Sequence, residues 1–215
     1  MRSAGRRLSF FLYAIGGLLL VGSFYLTLNV LDYYGTLHVT GDEIAILATG
    51  ANQEDVGWPG GCTMRDIFPS SFVTATGRGI AVKFGAGKVR GLHIAQAFIG
   101  NSSSVVPLNY EDYPIALKFN GSAGINIAIG SSATSDILKD FVVQQGTGLI
   151  VSFFINDDNK TSDGPIAKPA TPGWRSFYKC GGTPDPDTLM TAGFEDRSSK
   201  FVSHGVLELR IGGGS

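Results

Sequence analysis

The residues of this chain whose types suit chemistry are two cysteines, three histidines, a few clustered aspartates and some glycine-flanked serines. Cys62 and Cys180 stand in similar settings, WPGGC and YKCGG. Two cysteines in an exported chain favour a bridge, and closing so long a loop contributes about 4–5 kcal/mol by restricting the unfolded chain. Two free buried thiols are the alternative. Trp58 and Trp174 lie just upstream of the two cysteines. A bridge is then expected to draw both rings to one end of the fold, as a face for a partner or ligand, where exposed aromatics stack on sugars or anchor a protein. Rings that cap the core are the other outcome.

Catalysis, cofactor binding and metal binding find less support. His38, His93 and His204 are isolated, in neither an H-x-x-x-H nor an H-E-x-x-H pattern. The turn NGSAG is not a G-x-S-x-G nucleophile elbow, because its serine follows the glycine directly. GRG and GAGK lack the spacing of a phosphate-cradling loop. Asp157, Asp158 and Asp163 share INDDNKTSDG, and Asp185 and Asp187 share TPDPDT. Oxygen-rich loops of this kind bind Ca2+, but the first lacks the D-x-D-x-D-G order and the closing glutamate, so it reads as a solvated hairpin loop. No catalytic residue, metal ligand or cofactor site is assigned. The sequons at Asn101, Asn120 and Asn159 fall in predicted turns and are read as turn residues.

The elements that must position these residues are short and β-like. Thirty glycines and fourteen phenylalanines among 215 residues fit many turns joined by aromatic-rich strands. Alternating runs predict strands at EIAILAT, SFVTAT (71–76), GIAVKF (79–84), LHIAQAFIG (92–100), PIALKF (114–119), GINIAIG (124–130), LIVSFFI (149–155), RSFYKC (175–180) and GVLELRI (205–211). Ile125, Ile127 and Ile129 are expected to face inward, as are Leu149, Val151, Phe153 and Ile155. SDILKDF fits one helical turn or the start of another strand. Strands at this spacing indicate an all-β, jelly-roll-like β-sandwich over residues 62–215, after a connector (32–61) with one strand.

The N-terminus carries a different signal. Arg2, Arg6 and Arg7 (residues 1–7, cytoplasmic) precede a stretch from Leu8 to Leu31 with no charge. At about 1.5 Å per residue this covers the roughly 30 Å hydrocarbon core with room for tilt, and predicts one N-terminal transmembrane α-helix. The arginines before it and Asp32 after it predict a cytoplasmic N-terminus and an exported remainder, periplasmic or extracellular. A cleaved signal peptide would have a shorter apolar region and a small-residue cleavage site. Gly16, Gly17 and Gly22, with Asn29 towards the outer end, suit packing against a partner helix. Formal net charge is -1, so the basic face that a nucleic-acid backbone requires is missing.

The stretch LKFNGSAGINIAIGSSATSDILKDFVVQQGTGLIVSFF resembles the β-sandwich that precedes the catalytic domain of some bacterial SGNH-type esterases, and related modules of phage proteins. The likeness spans about residues 65–155. It implies a sandwich fold and a glycan-rich setting, while the G-D-S block and D-x-x-H pair of the catalytic half do not occur in the sequence. The expectation is a single-pass membrane protein whose exported module binds or scaffolds other membrane-protein subunits. A glycan-binding or esterase-associated carbohydrate module is the alternative.

Overall fold

The computed structural model describes residues 44–48, 53–88, 90–104, 108–155, 161–167, 175–181, 193–196 and 205–213, the backbone alone for 44–48, 53–59, 161–167 and 213. The chain divides into two compact units, Met1–Thr40 and Gly41–Ser215, and the described residues belong to the second. The expected membrane segment, with Gly16, Gly17, Gly22 and Asn29, lies outside them, as do His38, His204, Asp157, Asp158, Asn159, Asp185 and Asp187. No helix among the described residues is long and apolar enough to cross a membrane.

The first strands are β1 (Ile44–Ala48), β2 (Gln53–Pro59), β3 (Cys62–Phe68), β4 (Gly77–Gly85), β5 (Leu92–Asn101), β6 (Ile115–Ala116) and β7 (Ile125–Ile127). They are followed by β8 (Ser132–Thr134), β9 (Leu138–Val143), β10 (Leu149–Ile155), β11 (Thr161–Ala167), β12 (Arg175–Cys180), β13 (Glu195–Asp196) and β14 (Val206–Gly213). They form two main antiparallel sheets. One has seven strands, in the order β13-β12-β3-β10-β5-β6 with β7 also on β5; the other has five, β1-β14-β4-β8 with β9 also on β4. β2 and β11 pair separately, so the residues expected to form a one-strand connector carry two strands and Asp163 lies in a ladder opposite Gly57.

The inner faces of the two sheets share one core, as alternation along each strand dictates. Leu149, Val151, Phe153 and Ile155 of β10 meet Ile80, Val82 and Phe84 of β4 and Leu209 and Ile211 of β14. The Phe84 ring stands edge-on to Phe153 at 5.4 Å and to Phe119 at 5.8 Å. Each large side chain buried there stabilises the fold by roughly 1.5–3 kcal/mol before entropy is counted.

Some expected elements differ. SFVTAT forms no strand: Pro69 leads into a single 3-10 turn at Ser70–Phe72, and no ladder partner follows before Gly77. PIALKF contributes only the two residues of β6, and SDILKDF contributes β9. Ile127 is buried and Ile125 half-buried, but Ile129 is 58% exposed, because the strand ends at Ile127 and the chain turns at Gly130. Asn101 is the last residue of β5, opposite Leu149, and so lies in a strand and not in a turn. Asn120 does turn the chain. With φ of 50° and 79°, Asn120 and Gly121 make the tight link between Phe119 and Ser122, and Asp136 accepts hydrogen bonds from both of their N–H groups.

Candidate binding groove

Strands β3 and β12 pair from Cys62 opposite Cys180 to Ile67 opposite Arg175, and a disulfide joins the two cysteines. Cys62 is fully buried and Cys180 exposed, so the bridge clips an exposed strand end onto a buried one. Trp58 lies in β2 opposite Ser162, with its side chain outside the description, and Trp174 lies outside the described residues. Arg175, which follows Trp174 in the chain, stands at the end of β12 remote from the bridge, a strand length of roughly 17 Å.

β3 is buried along its whole length although it carries an arginine and an aspartate. Alternation sends the two to opposite faces. On the inner face Ser176 Oγ donates to Asp66 Oδ1 at 2.5 Å. On the outer face Arg65 Nε donates to Ser152 Oγ at 3.1 Å, and the Tyr110 hydroxyl lies 2.7 Å from the same oxygen. The guanidinium carbon sits 5.1 Å from the centre of the Tyr110 ring and 4.9 Å from that of Phe194, so the cation is held between two aromatic faces. Tyr110 reaches this place over Gly100, where a Cβ would stand 2.6 Å from the ring. Burial pushes the Tyr110 hydroxyl up from the ordinary 10 to about 12, against the opposing pull of Arg65. Ser152, Tyr110 and Arg65 are each at most 4% exposed, so their chemistry is closed to substrate. They pin the segment from Leu108 to Glu111 against the sheet, with Ile67, Ile150 and Phe177 packed around them.

That pinned segment forms one wall of a groove of about 710 Å3 at the Arg175 end of the seven-stranded sheet. The buried Ile67 and Phe68 close its base and half-buried Leu108 supplies apolar surface, while Ser102, Ser103, Ser104, Gln144 and Thr147 supply hydroxyl and amide groups. Backbone hydrogen bonds hold the walls: Ser102 N–H to Gly148 O at 2.8 Å, Ser103 N–H to Asn109 O at 2.8 Å, and Glu111 N–H to Asn101 O at 2.9 Å. Arg175 lines the groove, ion-paired with Asp196 and stacked on Phe177 at 4.8 Å. Glu111 is its sole carboxylate among the described residues.

No group of His, Cys, Asp and Glu among the described residues is placed to hold a metal ion. His93 Nδ1 lies 3.0 Å from Asn126 Oδ1 across the β5–β7 pair. Sequence reasoning missed Arg65, Tyr110 and Ser152, which match no motif. The available signal was CTMRDIF itself, an apolar alternation interrupted by two charges. The class defined by fold and site is an all-β module of two antiparallel sheets with a polar groove at one end. No protein-family model matches the chain, and no curated protein matches it.

Proposed function

We propose that this protein is a membrane-anchored module whose jelly-roll-like sandwich lies outside the cytoplasm and works by binding, as an accessory or scaffolding subunit of a membrane or envelope assembly. One observation carries the reading: the Cys62–Cys180 disulfide, in a chain whose Leu8–Leu31 segment is apolar and preceded by arginines. Cytosolic thiols are kept reduced, so the bridge fits export, and the uncharged segment with its basic flank supplies the anchor and its orientation. Gly16, Gly17, Gly22 and Asn29 suit contact with a partner helix in the bilayer. Outside it, Tyr113 and Ile115, 72% and 46% exposed, the second in edge strand β6 and the first just before it, offer apolar contact to a second protein.

A second reading, a glycan-binding module, is favoured by the hydroxyl-lined groove and by the resemblance to modules attached to SGNH-type esterases. Trp174, next to groove-lining Arg175 in the chain, is the aromatic residue to test for either kind of ligand. Affinity purification of the full chain from membranes in a mild detergent, read by quantitative mass spectrometry, tests the first reading. Stoichiometric recovery of the same membrane proteins, reproduced when one of them is the bait, is the expected result. Recovery of the chain alone from cross-linked membranes contradicts it.

A further inference from the structure

We infer that the groove at the Arg175 end of the seven-stranded sheet is a subsite for a neutral oligosaccharide. The inference rests on the glycan-binding reading and goes beyond it by fixing the place and the chemistry of recognition.

Charge is the first discriminator. A phosphate, sulfate or uronate site presents cations that the ligand neutralises, commonly clustered arginines. Here the one arginine lining the groove is already ion-paired with Asp196 and stacked on Phe177, and the one carboxylate, Glu111, repels anions. Both counts are of the described residues. The remaining polar groups are neutral. Ser102, Ser103, Ser104, Thr147 and Gln144 carry groups that both donate and accept, as every sugar hydroxyl does. A carboxylate such as Glu111 accepts from two neighbouring sugar hydroxyls, a charge-assisted pairing of roughly twice the strength of a neutral one.

Shape is the second. Half-buried Leu108 gives the groove an apolar contact for the C–H face of a sugar ring, over a base closed by the buried Ile67 and Phe68, and its volume of about 710 Å3 falls in the roughly 300–1,000 Å3 of small-molecule sites. An extended peptide recognised by strand addition needs an open sheet edge. The groove instead lies where β3, β10, β5 and β12 begin or end, and of these β3 and β10 are paired on both sides. Backbone hydrogen bonds of the loops and the Tyr110–Ser152 contact hold the described walls, which lowers the ordering cost of binding.

The test uses the full chain, isotope-labelled, in micelles of a zwitterionic detergent, since a sugar-headed detergent would compete. Maltotriose, cellotriose, chitotriose and the acidic trigalacturonate are titrated while backbone amides are followed by NMR. At least one neutral trisaccharide is expected to shift Ser103, Thr147 and Gly148 saturably. Glu111→Gln combined with Thr147→Val is expected to weaken it about tenfold or more without moving the melting temperature. Tighter binding of trigalacturonate, or neutral-sugar shifts indifferent to the two substitutions, overturns the inference. Saturable shifts confined to another surface overturn the groove assignment and leave the glycan reading standing. Silence across the panel at millimolar sugar overturns both.

Discussion

Replacing Cys180 with serine opens a covalent loop with a sequence separation of 118. In the chain-entropy account, that bridge removes from the unfolded ensemble an entropy worth about 4–5 kcal/mol at 25 °C. The roughly 175 residues from Gly41 to Ser215, at about 2.1 cal/mol/K each, give an unfolding entropy of about 0.37 kcal/mol/K. Dividing one by the other predicts a fall in melting temperature of about 11–13 °C. Cys180 is the cleaner of the two positions because it is exposed, whereas serine at fully buried Cys62 also buries a hydroxyl and costs a further 1–3 kcal/mol or so. The Cys62 variant is therefore expected to melt lower still. Circular dichroism of the full chain in detergent, with and without reductant, makes the measurement, and reduced wild type should fall with the Cys180 variant. A change under about 3 °C, or a Cys180→Ser variant that melts below Cys62→Ser, refutes the reasoning.

Tyr110→Phe removes a buried hydroxyl that bonds Ser152 and is expected to cost about 1–2 kcal/mol at neutral pH, read by chemical denaturation. Its pH dependence has a definite sign: a group held at about 12 in the folded state and 10 in the unfolded one stabilises fully below pH 10 and loses that contribution as pH rises towards 12. Wild type should lose stability in that window more steeply than Tyr110→Phe. Gly100→Ala places a methyl group 2.6 Å from the Tyr110 ring and is expected to cost about 1–3 kcal/mol, a cost that should largely vanish in a Tyr110→Ala background. N-terminal sequencing of the protein from membranes is expected to begin at or next to Met1; a start near residue 23 would mean that the apolar segment is cleaved.

Where one strand period ran unbroken, the fold was legible. LIVSFFI and RSFYKC match β10 and β12 residue for residue, and GIAVKF and LHIAQAFIG need only their ends extended. The sequence misleads where tertiary contacts override local pattern. CTMRDIF reads poorly as a buried strand because Arg65 and Asp66 interrupt it, and partners distant in sequence, Ser152, Tyr110 and Phe194 for the one and Ser176 for the other, help make the charges tolerable. SFVTAT has β propensity and no ladder partner, so propensity alone does not make a strand. The pairing of β2 with β11 joins segments about a hundred residues apart, beyond any local signal. The bridge was legible because the chain offers only two cysteines, whereas the groove gathers loops after β3, β5 and β9 and the start of β12. Hydroxyls scattered over such loops carry no motif that spacing could reveal.

The central claim, an anchored chain with its bridged module on the oxidising side of a membrane, comes down to one experiment. Membranes from cells quenched in acid are washed with carbonate, and the chain is alkylated with a mass-tagging maleimide before and after reduction. The account predicts full-length chain in the membrane pellet, untagged before reduction and carrying two tags after it. Chain in the carbonate supernatant, or two tags without reduction, would contradict the account.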